Sequence, residues 1–220
     1  MAIEFKEWPK TPRLLRNITI TEKIDGTNAA IGIVPISSVY HSYSGDIEKP
    51  RLEDITILEG SVFAKVESGG EIYGVYAQSR SRLITPGKST DNYGFAGWVQ
   101  ANAEELVRVL GEGLHYGEWW GAGIQRKYGI SDKWFSLFNT ARYAELDTPI
   151  NLSVVPVLYE GPNDTAAIEA ALCSLRVNGS VASPGFMNPE GVCVYQAASR
   201  QVSKVTLDHN DAGKWEAVAA

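Results

Sequence analysis

Short β-rich runs separated by turn residues dominate this chain, and they limit its fold more than any other feature. Nine such stretches occur, at 17–22, 29–36, 61–66, 71–78, 114–119, 133–138, 153–159, 191–196 and 201–207. They alternate apolar with polar residues or concentrate Val, Ile, Tyr and Trp, as strands with a buried face do. Only two segments carry helical spacing. In 95–110 the apolar residues Trp98, Val99, Ala103, Leu106, Val107 and Leu110 recur at three- and four-residue steps before Gly111. The second segment, 164–177, opens on Asp164-Thr165 and stops at Asn178-Gly179, a capped start and a glycine stop. Many strands with few helices between them predict an α+β fold of two mainly antiparallel β-sheets flanked by helices. The polar stretch 39–58 reads as a long loop or a mobile insertion.

With 220 residues the chain is long enough for one large domain or one domain with a small appendage, and no long Pro/Gly/Ser linker divides it. Its 44% hydrophobic and 21% charged residues are ordinary for a globular protein. No apolar run approaches the roughly 20 residues that cross a bilayer, and residues 1–10 lack the apolar segment of a signal peptide. Cys173 and Cys193 read as free thiols in a reducing cytoplasm, and three histidines offer no zinc-ligand spacing. A net charge of −6 neither selects nor excludes a nucleic-acid partner, because phosphate binding requires cations converging on one face rather than a basic total.

Within this pattern one lysine is oddly placed. Lys23 stands between the β-like run 17–20 and an Asp25-Gly26 turn, with a second apolar run following from Ala29. A lysine held at a strand end, beside an acidic residue and a backbone kink, suits a nucleophile. Lysines attack only as neutral amines, so such a site works through its neighbours. The plain alternative is a surface hairpin with a solvated lysine.

Five further segments follow in order. Ala77-Gln78-Ser79-Arg80-Ser81-Arg82 runs off an alternating stretch, and His115-Tyr116-Gly117-Glu118-Trp119-Trp120 continues into Gly121-Ala122-Gly123-Ile124-Gln125-Arg126. Lys133-Trp134-Phe135-Ser136-Leu137-Phe138-Asn139, Pro189-Glu190-Gly191-Val192 and Val202-Ser203-Lys204-Val205-Thr206 complete the series. With Lys23-Ile24-Asp25-Gly26-Thr27-Asn28, these segments resemble the motifs of the covalent nucleotidyltransferase superfamily. The resemblance is closest to ATP-dependent RNA ligases of the RNA-ligase-2 type, and it spans nearly the whole chain as a single adenylation domain, 1–220, without a barrel or C-terminal domain.

The resemblance implies an ATP-grasp-like ligase fold with the nucleotide cleft between two sheets. It also implies an ATP-dependent RNA ligase that takes ATP with Mg2+ (Mn2+ as the alternative metal). Lys23 is then the nucleophile, becoming lysyl-AMP, and the acceptor is RNA or nicked nucleic acid bearing a 5′-phosphate. Glu22, Lys23, Asn28, Arg80, Glu118, Phe138 and Lys204 bind the nucleotide, with Arg80 and Lys204 serving catalysis and Glu190 the metal. Arginine suits phosphate oxygens through its fork of donors, and Arg82 is either a rim contact or a charge leaving a strand. Glu118 is assigned to the ribose hydroxyls, since an unpaired carboxylate is costly in an aromatic stretch. Phe138 stacks on the base, whereas Phe135 points to the opposite face and packs in the core. Trp119, Trp120 and Tyr116 read as core.

Two positions depart from the family pattern. Asn139 stands where an aspartate is usual, and Thr206 replaces the second of two lysines, leaving Lys204 alone or aided by Lys214. The rivals are a minimal DNA nick ligase, a capping-type guanylyltransferase that would need a further domain, and a non-catalytic end-binding module.

Overall fold

The computed structural model describes residues 8, 10–13, 15–36 and 60–208, so the loop expected at 39–58 and Lys214 lie outside the described residues. In chain order the elements are β1 (Asn17–Lys23), β2 (Thr27–Pro35), β3 (Ala64–Ser68), β4 (Glu71–Ser79), β5 (Leu83–Ile84), α1 (Phe95–Ala101) and α2 (Ala103–Leu110). Then come β6 (Gly113–Gly121), β7 (Lys133–Leu137), β8 (Leu152–Val154), β9 (Val157–Pro162), α3 (Thr165–Asn178), β10 (Gly191–Gln196) and β11 (Gln201–Thr206). They fall into two compact units, one of residues 1–23 with 156–220 and one of residues 24–155. Two mainly antiparallel sheets with helices are thus present as expected. No helix among the described residues is long and apolar enough to cross a membrane.

The first unit carries the four-stranded sheet β11-β10-β1-β9, every pair antiparallel. β1 alternates, so Ile18, Ile20 and Glu22 are buried while Thr19, Thr21 and Lys23 turn the other way. Ile18 and Ile20 pack with Val192 and Val194 of β10 and with Ala171 and Leu175 of α3. Full burial of an isoleucine contributes about 1.5–3 kcal/mol, which is ample to fix the strand's facing. Asp164 starts α3 as an N-cap, accepting the Ala166 amide at 2.9 Å.

Glu22, expected among the nucleotide-binding residues, has its side chain on the buried side of β1. It is 1% exposed. Its Oε1 accepts the Ser180 hydroxyl at 2.6 Å, and its Oε2 accepts the Val181 and Ala182 amides at 2.8 and 2.9 Å. A carboxylate on the buried side of β1 is thereby satisfied, and it fastens the segment that follows α3.

The second unit carries β3-β4-β2-β6-β7-β8, with β5 on β4 and one parallel pair, β7 with β8. On one side of this sheet Ala29, Ile31, Ile33, Val75, Ala77, Trp119, Phe135 and Leu137 form a core with Phe95, Val99 and Leu106 of the helices. Phe95 centres an aromatic cluster, 4.9 Å from Phe135 and 5.4 Å from Trp119. The single helix expected over 95–110 is two helices. At Asn102 the backbone leaves helical geometry (φ −115°, ψ 16°), and its side-chain amide bonds back to the Trp98 carbonyl at 2.8 Å. The single run expected over 153–159 likewise divides at Pro156, giving β8 to one unit and β9 to the other.

His115 is wholly buried on the core side of β6, between the Tyr143 hydroxyl at 2.6 Å from Nδ1 and the Gly111 carbonyl at 3.0 Å from Nε2. A carbonyl only accepts, so Nε2 carries the proton and Nδ1 receives the tyrosine hydroxyl. Burial and then the nearby Arg142 cation hold His115 down at about 4, against the opposing pull of the Gly111 carbonyl.

Two outcomes follow from these buried groups. Glu22→Ala strands three donors and should lower unfolding free energy by about 3 kcal/mol or more in urea titrations, a loss below about 1 kcal/mol contradicting this role. For His115 the unfolded imidazole takes up a proton near 6.5 while the folded one resists until about 4, so stability complete above 6.5 is lost as pH falls toward 4. That loss amounts to roughly 3 kcal/mol. An NMR titration of the His115 ring inflecting near 6.5 in the folded protein would contradict it.

Candidate active site

In the first unit Lys23 ends β1 and pairs in register with Gly191 of β10, which pairs in turn with Thr206 of β11. Two residues back along β1, Thr21, Cys193 and Lys204 are aligned. Alternation therefore puts Lys23, Lys204 and Thr206 on the same side of the sheet, opposite the α3-covered core. The Lys23 Nζ donates to Glu190 Oε2 at 2.6 Å, with side-chain exposures of 22% and 17%. Glu190 immediately precedes β10, and Gly191 takes φ 150°, where an added Cβ would lie 2.2 Å from the Val205 carbonyl oxygen. Only glycine admits β11 so close to the start of β10. Lys204 has no side-chain hydrogen bond or ion pair among the described residues.

In the second unit the side of the sheet away from the helices carries Asn28 and Ala30 of β2, Tyr76 and Gln78 of β4, and Tyr116 and Glu118 of β6. Asn28 pairs with Glu118, and Ala30 lies between Tyr116 and Gln78. Phe138 directly follows β7, 40% exposed, its amide bonded to the Tyr116 carbonyl at 3.0 Å. Phe135 is in the core, as the spacing indicates. Tyr116 is not core: it is 48% exposed, on the side of the sheet that carries Glu118 rather than on that of the buried Trp119. Trp119 and Trp120 are both buried, on opposite sides, Trp120 with its indole N–H on the Ser136 hydroxyl at 2.8 Å.

Arg80 and Arg82 separate clearly. Arg82 donates to the Thr90 carbonyl at 3.0 Å and the Asp91 carbonyl at 3.4 Å, holding its own loop together. Arg80, the first residue past β4, is exposed with no side-chain partner among the described residues, and so is the guanidinium available to a phosphate. Asn28 likewise has no side-chain partner among them. Asn139 caps a turn through the Arg142 amide at 3.0 Å, a job asparagine does as well as aspartate.

The turn after Lys23 is not a hairpin, since β1 and β2 belong to different sheets. Ile24 is buried in the second unit. The Gly26 amide donates to Glu118 Oε1 at 3.1 Å, so that carboxylate is at least partly satisfied. A Cβ on Gly26 would lie 2.4 Å from the Trp119 carbonyl oxygen, which explains the glycine of the Lys-x-Asp-Gly segment. Asp25 accepts from Arg126 Nε at 3.0 Å, and its amide donates to the Tyr128 hydroxyl at 2.8 Å. Arg126 and Tyr128 carry no assignment in the sequence reading, and with about a hundred residues between the partners no local signal points to them.

The donor chemistry sets what metal fits. Among the described residues no group of three or more His, Cys, Asp or Glu side chains stands ready to hold an ion. Glu190 alone fits magnesium, which binds through one or two carboxylates together with substrate phosphates and waters.

A family model described as RNA ligase matches residues 16–210, a span containing Lys23, Asn28, Arg80, Glu118, Phe138, Glu190 and Lys204. No curated protein and no solved structure matches the chain. With the match covering most of its length, the chain belongs to the RNA ligase family.

Proposed function

We propose that the chain is an ATP-dependent RNA ligase, acting as a single adenylation domain that seals 5′-phosphate and 3′-hydroxyl ends through Lys23. The observation that carries this reading is the setting of Lys23 at the end of β1. Its Nζ is held at 2.6 Å by Glu190, on the same side of the sheet as Lys204, which has no side-chain partner among the described residues.

In the first step the Lys23 nitrogen, once deprotonated, attacks the α-phosphorus of ATP, forming a phosphoramide bond while the bond to pyrophosphate breaks. In the second a 5′-phosphate oxygen of the nucleic acid attacks the lysyl-bound phosphorus, and Lys23 leaves as its amine. In the third a 3′-hydroxyl attacks the activated 5′-phosphorus, closing the phosphodiester and releasing AMP. Such transfers depend on positioning and charge neutralisation more than on protein covalent chemistry. Glu190 fixes where the Lys23 nitrogen points. Lys204 and Arg80 supply positive charge to phosphate oxygens, Glu118 supplies polar contacts to the ribose, Asn28 would orient waters around magnesium, and Phe138 supplies a face for the base. Glu190 would hold magnesium, which supplies charge neutralisation at the phosphates.

The free thiols Cys173 and Cys193 support a reducing, cytoplasmic setting. RNA is favoured as the acceptor by the family match, which names RNA ligases.

The test offers 5′-phosphorylated RNA, nicked RNA and nicked DNA in turn with ATP and magnesium. RNA should be sealed, and Lys23→Ala should abolish sealing. Sealing of nicked DNA alone would replace this reading with the DNA-ligase one, and use of GTP with the failure of ATP with the capping one. Phe138→Ala should raise the KM for ATP by roughly 5- to 150-fold, the equivalent of one lost base stack of about 1–3 kcal/mol. An unchanged KM would remove Phe138 from the base site.

A further inference from the structure

The connection between β6 and β7 has an unusual backbone. Gln125, Lys127 and Tyr128 all take left-handed conformations, with φ of 41°, 61° and 49°, interspersed with Gly121, Gly123 and Gly129 at 103°, 75° and 67°. Left-handed geometry is disfavoured for residues with a side chain, above all for a bulky tyrosine, and persists only where the surroundings over-determine it. Here the surroundings do so. Ile124 and Tyr128 are buried at 0% and 1% exposure, and the Tyr128 ring sits edge-on to Trp120 at 5.0 Å.

The result of this fold is that two side chains of the connection meet one residue of the turn after Lys23. Arg126 Nε donates to Asp25 Oδ2 at 3.0 Å, and the Tyr128 hydroxyl accepts the Asp25 amide at 2.8 Å. The next amide, that of Gly26, is taken by Glu118 at 3.1 Å, and Ile24 before it is 3% exposed. Three consecutive residues beyond the nucleophile are therefore fixed, one by burial and two by bonds to β6 and its connection. The ion pair is partly exposed, at 17% and 30%, and such pairs add little to stability. A contact of small energetic worth, built from a backbone that resists forming it, points to a geometric purpose.

We infer that Arg126 and Tyr128 are positioning residues for Lys23. By locking Asp25 they fix the chain two residues beyond the nucleophile, and so restrict the arc its nitrogen sweeps toward the α-phosphorus. Neither touches the reacting atoms; both act through Asp25. The inference rests on the reading of Lys23 as the adenylylated residue.

The experiment is single-turnover adenylylation of the full chain with α-labelled ATP and magnesium over a range of ATP concentrations. Compared with wild type are Arg126→Gln, Arg126→Lys, Tyr128→Phe, Asp25→Asn and the double variant Arg126→Gln/Asp25→Asn. The saturating rate of Arg126→Gln should fall roughly 10- to 100-fold, the scale of a displaced reacting group. Half-saturation by ATP should move less than about threefold, because uniform binding is untouched. Arg126→Lys should recover part of the rate, and the double variant should be no slower than the slower single, since both remove one contact. Lys127→Gly, an exposed left-handed position that glycine tolerates, should keep the wild-type rate.

The inference is overturned if Arg126→Gln retains its rate to within about twofold, if the loss lies in half-saturation, or if the two single losses multiply in the double variant. Should Arg126→Gln fail to fold, Tyr128→Phe decides, because it removes one oxygen from an otherwise intact ring and should slow the same step. Absence of label on the wild-type chain would instead overturn the ligase reading. The clamp is then read from hydrogen exchange, where Tyr128→Phe should speed exchange of the Asp25 amide, and unchanged exchange refutes it.

Discussion

Burial of Ile18 and Ile20 on one side of β1 decides where Lys23 stands. Side chains on a strand alternate, so a slip of one residue would carry the two isoleucines out of the core and turn the lysine into it. The cost of exposing two isoleucines is several times the thermal energy, so the lysine's facing is set by packing rather than by anything at the lysine itself. Glu22 follows from the same register. It falls on the buried side, and its bonds to Ser180, Val181 and Ala182 make that position tolerable for a carboxylate. The candidate nucleophile and its structural neighbour in sequence are thus assigned opposite tasks by one periodicity.

The same logic sorts polar groups in both units into those already engaged and those left available. Arg82, Asp91, Asn139 and Glu22 are engaged, each bonded to backbone groups of its own unit. Arg80, Asn28 and Lys204 have no side-chain partner among the described residues. A cation or amide left unpaired costs little at a surface and is ready for an anionic ligand, which is why these three rather than their neighbours enter the proposed mechanism. Thr206 refines this picture. It sits in the row of Lys23 where the family resemblance leads one to look for a second lysine, so the substitution changes the charge on that side of the sheet and not its geometry.

Much of this was legible from the chain alone, because strand period and turn chemistry are local. β1, β2, β4, β6, β10 and β11 lie within a residue or two of the expected runs, and Phe135 and Phe138 part as their spacing requires. The failures have physical causes. Tyr116 and Trp120 share one parity on β6, yet one is exposed and the other buried, a difference that period alone does not announce. The run 153–159 looks continuous because proline's missing donor matters only once a strand must find partners. Asn102 interrupts an apolar pattern that continues in phase across the break, so the pattern conceals it. Arg126 and Tyr128 escape altogether, since their partner Asp25 is remote in sequence and their aim depends on left-handed backbone that composition does not announce.

The central claim is that Lys23, and no other lysine, forms the covalent bond to AMP. Digestion of the wild-type chain after incubation with ATP and magnesium, followed by peptide mass spectrometry, locates that bond directly. The adduct should be found on the peptide containing Lys23 and nowhere else. An adduct on Lys204 or another lysine, or none under conditions in which the protein seals ends, would contradict the account.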